Sequence, residues 1–205
     1  MALSTYAELK ASILDWLKDS TITIAADFIA LAEARFNREL RCPEMEERSR
    51  ATASSGYTAL PTDFLEMRSL YLSDSPDIPL DYFAPQHLKT VRANGSTGQP
   101  TAYTIVDEEI LLAPAPGASY TLEMVYLAKI PALSDSNTSN WLLASHPDLY
   151  LAGALAAGEA FGWNDERIGI WASTAADIIA SINAQGMTKR MGSAPLVARG
   201  LRAFS

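Results

Sequence analysis

The sequence predicts an α+β, mainly helical protein: a four-helix bundle with an inserted antiparallel β-rich segment and an extended C-terminal tail. Three observations favour this fold class. Near both ends of the chain, apolar residues recur at spacings of three and four, which is typical of amphipathic helices. The middle of the chain instead alternates apolar and polar residues between prolines and turn dipeptides. Residues 187–205 show neither period.

These patterns divide the chain into three parts. Residues 1–50 and 141–186 are predicted to form the helical bundle, residues 51–140 the β-rich insertion, and residues 187–205 the extended C-terminal tail. The two helical parts should pack together, because neither amphipathic pair can bury its apolar stripe alone.

The first helical part contains two helices. Thr5 and Glu8 are spaced as a capping box, so the first helix should begin there. The second helix is predicted from about Ala25 to Leu40, before Pro43. Four charged residues of the second helix lie off the apolar stripe predicted for it and are predicted to face solvent: Glu33, Arg35, Arg38 and Glu39.

The middle part is predicted to form strands joined by short connections, which favours an antiparallel sheet. The predicted strands cover residues 64–72, 78–83, 101–106, 109–114 and 119–130. Asp107-Glu108 should form a tight hairpin between two of them. A short helix is predicted over residues 85–93.

A helix of the second helical part should begin at Pro147, a residue suited to the first turn of a helix. Small residues, Gly153 among them, give this helix a smooth side, and Gly162 should end it. A further helix should open near Asn164 and end at Gly186. Trp16 and Trp171 lie on helical apolar stripes and are predicted to belong to the core.

The charge of the chain is uneven. The net charge is −8, which argues against broad electrostatic binding to nucleic acid or anionic lipid. Residues 187–205 hold four basic residues and no acid, so subtraction from 16 basic and 24 acidic residues leaves 12 against 24 for the remainder. A body of charge −12 therefore carries a basic end.

The composition also limits the compartment and the chemistry. Cys42 is the only cysteine, so one chain can form neither a disulfide nor a cysteine-based zinc site. The longest uncharged run of small apolar residues, Leu149 to Gly158, is too short to span a bilayer. We therefore expect a soluble protein that does not bind a membrane.

Two clusters resemble catalytic groups, but each has a better structural interpretation. Ser145, His146 and Asp148 suggest a triad, yet they are better explained as the cap and first turn of a helix. The carboxylates at residues 107–109 suggest acid–base chemistry, yet they belong to a hairpin tip where solvent screens them. His87 is expected to be incidental. The sequence therefore predicts no enzyme, no cofactor and no metal site.

A family resemblance is carried by the order of the segments and by several phrases. The chain opens with YAELKASILDWL and IALAEARFNREL, and continues with LPTDFLEMRSLYL and with TAYTIVDEEILLAPAPGASYTLEMVYLAKIP. The phrase NWLL is followed by PDLYLAGALAAGEAF. Over roughly residues 3–186, this order resembles the adaptor, or head-to-tail connector, proteins of tailed bacteriophages, best known in short-tailed phages.

The resemblance implies a structural virion protein at the head-to-tail interface, made in the host cytoplasm. It implies a dodecameric ring of copies below the portal protein, which extends the DNA channel and docks a downstream tail protein of nozzle or tube type. Genomic DNA would pass through without specific binding. Two alternatives remain open: another phage neck protein or a non-viral oligomeric scaffold, and an enzyme that uses the carboxylates at residues 107–109.

Residues 187–205 are predicted to be the portal-docking element. Arginines there could pair with carboxylates or carbonyls of the portal, and apolar residues could fill gaps between its subunits. The alternative is a frayed terminus without a role, since chain ends are commonly disordered. The predicted docking residues are Arg190, Pro195, Leu196, Arg199, Leu201, Arg202 and Phe204.

Overall fold

The structure is a computed structural model, and it describes residues 3–18, 24–73, 76–92, 95, 97–162 and 165–191. The chain forms two compact units. The helical unit comprises Met1–Glu44 with Pro131–Ser205, and the β unit comprises Met45–Ile130.

The helices and strands follow one another along the chain in an α–β–α order. The helices of the described residues are α1 (Tyr6–Leu17), α2 (Ala25–Glu39), α3 (Pro85–Arg92), α4 (Trp141–Ser145), α5 (Pro147–Phe161) and α6 (Asp165–Met191), with a 3-10 turn at Pro43–Met45. The strands are β1 (Glu46–Ala53), β2 (Tyr57–Ala59), β3 (Phe64–Leu72), β4 (Ile78–Pro79), β5 (Asp81–Tyr82), β6 (Thr97–Gly98), β7 (Ala102–Val106), β8 (Glu109–Ala113), β9 (Ala115–Pro116) and β10 (Tyr120–Ala128).

The α+β class is confirmed, but the prediction of a four-helix bundle is wrong. The described residues form six helices, of which α3 belongs to the β unit and the other five to the helical unit. Helix α5 packs against α1, α2, α4 and α6 and is the centre of that unit. The additional helix α4 is separate because His146, with φ −138° and ψ 63°, leaves the helical region just before Pro147.

The predicted starts of α1 and α5 are confirmed. The Glu8 N–H donates to Thr5 Oγ1 over 3.3 Å, and the Thr5 N–H donates to Glu8 Oε2 over 3.1 Å, which completes the capping box. Helix α5 begins at Pro147, and its C-cap residue is Gly162.

The prediction of an extended tail is wrong for its first residues. Helix α6 continues through Gly186 to Met191, so residues 187–191 are helical. A Cβ atom at Gly186 would lie 2.8 Å from Pro43 Cδ and 3.3 Å from Cys42 Cα. This glycine therefore allows a close approach of the chain inside the helix and does not end it. Residues 192–205 lie outside the described residues.

The β unit contains two four-stranded sheets, in the orders β1-β10-β3-β4 and β2-β8-β7-β5. The core residues Leu70 and Met124 come from the first sheet, and Tyr103, Ile110 and Leu112 come from the second. The pairs are antiparallel except for the two-residue pairs β5–β7 and β6–β9, which are parallel. Strand β1 begins before the change of pattern that we predicted at Arg50.

Candidate functional site

The C-terminal end of α6 contains the first residues of the predicted docking element. The Lys189 ammonium forms an ion pair with the carboxylate of Glu44, which lies in the 3-10 turn before β1. Their hydrogen bond is the main cause that lowers the pKa of Glu44 and raises the pKa of Lys189. Both groups are therefore held in their charged forms near neutral pH.

The preceding turn of α6 is fixed to the same region of the helical unit. Asn183 Oδ1 accepts the backbone N–H of Arg41 over 2.8 Å, and Asn183 Nδ2 donates to the carbonyl of Glu39 over 3.0 Å. These bonds satisfy backbone groups at the end of α2 that have no partner inside that helix. The C-terminal turns of α6 are thus attached to the connection that follows α2.

The structure places one of the seven predicted docking residues. Arg190 is exposed, directly after the Lys189 ion pair on the last turn of α6. The other six predicted docking residues lie outside the described residues: Pro195, Leu196, Arg199, Leu201, Arg202 and Phe204. The docking element as a whole therefore stays a prediction.

The acidic cluster lies at the tip of the β7–β8 hairpin. Asp107 and Glu108 adopt positive φ values of 52° and 62°, as a tight turn of the primed type requires, which confirms the predicted hairpin. Their carboxylates and that of Glu109 are exposed. With Lys129 and the 59–62 segment they line a cleft of about 440 Å³. The position of these carboxylates in a turn explains their exposure, and no catalytic role is needed to account for it.

The two histidines have different local surroundings. His146 occupies the position between α4 and α5 and makes no side-chain cap bond, whereas Asp148 lies in the first turn of α5. The His87 ring packs against Phe83 with a centroid distance of 5.0 Å. Among the residues that the structure describes, no group of three or more His, Cys, Asp or Glu side chains could hold a metal ion.

A buried polar network was missed by the sequence analysis. The Glu33 carboxylate, in a residue only 6% exposed, accepts the backbone N–H of Leu133 and the hydroxyl of Tyr150, each over 2.9 Å. Asn140 Nδ2 donates to Tyr150 Oη and to the carbonyl of Pro131, each over 2.7 Å. The network therefore attaches the 131–140 segment to α2 and α5.

Burial and hydrogen bonding act in opposite directions on Glu33. Burial raises the pKa of its carboxyl group, while the two donors, Leu133 and Tyr150, lower it. The prediction that Glu33 faces solvent is wrong. The sequence did contain a signal of this burial. Glu33 follows Ile29 by four residues and precedes Phe36 by three, and this spacing places it on the buried face of α2.

The two tryptophans predicted to be core residues meet at the edge of the helical unit. Their rings are in edge-to-face contact with a centroid distance of 5.3 Å and an interplanar angle of 87°. Trp171 is half-buried, but Trp16 is 46% exposed, so the core assignment of Trp16 is wrong. Their contact joins α1 to α6.

Comparison with known proteins identifies the family. The model of the SU10 adaptor protein family matches residues 4–199, almost the entire chain. A search of curated proteins gives no match. Within the described residues, no helix has the length and apolar character needed to cross a membrane. The match extends through both helical segments and the β unit, and it agrees with the resemblance found in the sequence. The chain therefore belongs to the SU10 adaptor protein family, a family of phage head-to-tail adaptors and virion components.

Proposed function

We propose that twelve copies of this chain form a ring below the phage portal. The ring extends the DNA channel and gives the downstream tail protein a surface on which to dock. The family match over residues 4–199 is the observation that carries this proposal. A ring is the closed assembly that results when each copy contacts the next through two different surfaces.

The charge of the chain agrees with a channel role. Proteins hold DNA chiefly through lysine and arginine contacts to phosphates. Residues 1–186 have twice as many acids as bases, 24 against 12, so DNA passing through a ring of such units meets a predominantly repulsive charge. The proposed channel therefore guides DNA without specific binding.

The proposed role needs surfaces and no catalysis. The carboxylates at residues 107–109 are exposed at a hairpin tip, and His146 lies between two helices. Solvent surrounds these carboxylates, whereas catalytic groups normally act in a site that excludes water. We infer that the family role is performed by docking surfaces repeated around the ring.

The portal contact is proposed to lie at the C-terminal end. Helix α6 is attached to the rest of the helical unit through Asn183 and Lys189, and the chain continues from there into Arg199 and Arg202. A basic segment is suited to acidic portal grooves because its charges are complementary to them. Its apolar residues Leu196, Leu201 and Phe204 would fill gaps between portal subunits.

The direct test combines the purified chain with portal rings of the phage that encodes it. We expect co-sedimentation, and electron microscopy should show an added ring with twelve copies of the chain below the portal. A chain that stays in the supernatant at saturating concentration would contradict the proposed function. A different number of copies would contradict the twelvefold ring but not the adaptor role.

A further inference from the structure

One face of α6 is exposed although it carries almost no charge. Between Arg167 and Lys189 the helix has one charged residue, Asp177. One side of α6 is buried at Ala175, Ile179 and Ile182. The opposite side is what we call the α6 outer face, and its exposed residues are Ile170, Ser173, Asp177, Ala180, Ala184 and Thr188.

Such a face is unusual for the surface of a protein. A helix that is hydrophobic on all sides is normally buried, whereas the exposed side of a surface helix normally carries charged and polar residues. Ile170 is 60% exposed, and the exposed residues Ala180 and Ala184, one turn apart, have small side chains. A partner that presents a large apolar side chain and a positive charge would pack against these alanines and pair with Asp177.

Helix α2 of the same unit presents a face with these properties. The exposed residues of the α2 outer face are Asp27, Ala30, Leu31, Ala34 and Arg38. Asp27, Leu31, Ala34 and Arg38 follow one another at spacings of four, three and four, so they form one stripe along the helix, with Ala30 beside it. Leu31 is 60% exposed at its centre, and the charges lie at its two ends.

The charges of the two faces complement one another. The side chains of Asp27, Arg38 and Asp177 have no hydrogen-bond or ion-pair partner among the residues that the structure describes. Arg38 follows Asp27 by eleven residues, and Thr188 follows Asp177 by eleven residues. Both separations correspond to about 16.5 Å along a helix axis, so the α2 outer face matches the part of the α6 outer face between Asp177 and Thr188.

We propose that the α6 outer face of one copy packs antiparallel against the α2 outer face of the neighbouring copy. Arg38 then pairs with Asp177, Leu31 fits against Ala184, and the Thr188 hydroxyl donates to Asp27. A parallel arrangement with the same ion pair would instead place Asp27 beside Glu166, where like charges repel. The inference rests on the proposed function, because it names the contact between copies in the ring.

Two different faces make this contact, so it can continue from copy to copy and close into a ring. An isologous α6–α6 contact would bring Asp177 close to its own symmetry mate. An isologous α2–α2 contact would pair Asp27 with Arg38, but it would leave Asp177 and the α6 outer face uncovered. The test must therefore separate the mixed contact from an α2–α2 dimer.

Cysteine cross-linking makes this distinction. The Leu31→Cys/Ala184→Cys variant is oxidised at high protein concentration without portal, while the native Cys42 stays buried. We expect a ladder of dimers, trimers and larger species, because each copy links to two neighbours. Each single variant should stay monomeric. A dimer from Leu31→Cys alone, or no ladder from the double variant, would overturn the proposal.

Charge reversal within the double-cysteine background tests the ion pair. Asp177→Arg should reduce ladder formation roughly fivefold, and adding Arg38→Asp should restore it. Asp81→Arg, an exposed reversal in the β unit, changes the net charge equally and should leave the ladder intact. Failure of the paired reversal to restore the ladder would overturn the assigned register.

Portal binding is measured separately on the wild-type chain, so the two proposals can fail independently. A ladder without portal binding upholds the contact between copies and contradicts the adaptor ring on the portal. Portal binding without any ladder from the double-cysteine variant overturns the α2–α6 contact and leaves the proposed function standing.

Discussion

Gly153 of α5 lies directly against the ring of Phe36 from α2, with no room for a side chain between them. A Cβ atom at Gly153 would lie 2.7 Å from Phe36 Cζ and 3.1 Å from the Cβ of Ala32. The Phe36 ring is held from another side by Tyr150, in an edge-to-face contact with centroids 5.3 Å apart. The small-residue side of α5 therefore serves close packing inside the helical unit.

Gly153→Ala should destabilise the helical unit. The added methyl group forces Phe36 or α2 to move, and such overpacking costs about 1–3 kcal/mol, which exceeds the gain of under about 1 kcal/mol in helix propensity. None of the four tryptophans of the sequence lies in the β unit, residues 45–130. Urea unfolding followed by tryptophan fluorescence therefore reports selectively on the helical unit.

Gly169→Ala in α6 is the matched control. A Cβ atom there meets nothing within 4 Å, so this substitution should raise the unfolding free energy by about 0.5–1 kcal/mol. Equal unfolding midpoints for the two alanine variants would show that the α2–α5 contact is looser than the structure indicates.

Local patterns predicted much of this fold, because they depend on residues close together in the sequence. The Thr5–Glu8 capping box, Pro147 at the start of α5 and the hairpin at Asp107-Glu108 are all set by neighbouring residues. The order of helices and strands followed from the same kind of information.

The errors arose where distant residues decide the structure. Gly186 has the appearance of a helix stop, but it serves the approach of Pro43, which is far away in the sequence. Glu33 is charged, yet it is buried because Leu133 and Tyr150 donate to it. Strand β1 is rich in charge and lies at a sheet edge, where charged residues are common, so it lacks a clear apolar alternation.

The sequence identified the basic C-terminal end of the candidate site, but not the contacts that attach α6 to the end of α2 and to Glu44. Charge counting was sufficient to separate residues 187–205 from the acidic body. The bonds of Asn183 to the end of α2, and of Lys189 to Glu44, join segments that are more than 140 residues apart. No local pattern encodes such partners.

Glu33 should make the stability of the helical unit depend on pH in a defined direction. Burial raises its pKa above the ordinary value of 4.5 that applies in the unfolded chain. The folded state therefore binds the proton more tightly, and the contribution of Glu33 to stability falls as pH rises from 4.5 through the folded-state pKa. Glu33→Gln removes this contribution, so the stability of the variant relative to wild type should increase with pH.

Urea unfolding of both proteins between about pH 4 and pH 8 measures this difference. Tyr150→Phe provides the comparison, because the lost hydroxyl donor lowers the pKa of Glu33 in the wild-type chain. Without this donor the pKa of Glu33 should rise further, so the stability of the Tyr150→Phe variant should decline more steeply with pH than that of the wild type. A constant difference between wild type and Glu33→Gln over this range would contradict the direction of the shift.

The isolated chain should be monomeric or only weakly associated at micromolar concentration. The proposed contact between copies uses one ion pair, one hydrogen bond and the packing of Leu31 on Ala184, and surface ion pairs contribute about 0–1 kcal/mol. Sedimentation velocity without portal checks this expectation, and a stable ring under these conditions would contradict it.

Truncation after Met191 should separate folding from portal docking. This cut removes Pro195, Leu196, Arg199, Leu201, Arg202 and Phe204 but retains Arg190 and the Lys189–Glu44 ion pair. The helical circular dichroism and the melting temperature should stay almost unchanged, because none of the contacts that hold α6 to α2 is lost.

The same truncation should abolish co-sedimentation with portal rings, since the removed segment holds two of the basic residues and all the apolar ones proposed to enter the portal. A full-length variant in which Arg199 and Arg202 are both replaced by glutamine separates the contribution of charge to portal binding from that of the apolar contacts. It should retain part of the binding, with a weaker dependence on salt, because the apolar contacts remain while the charge attraction is lost. Unchanged affinity of the truncated chain would place the portal contact on the helical unit instead.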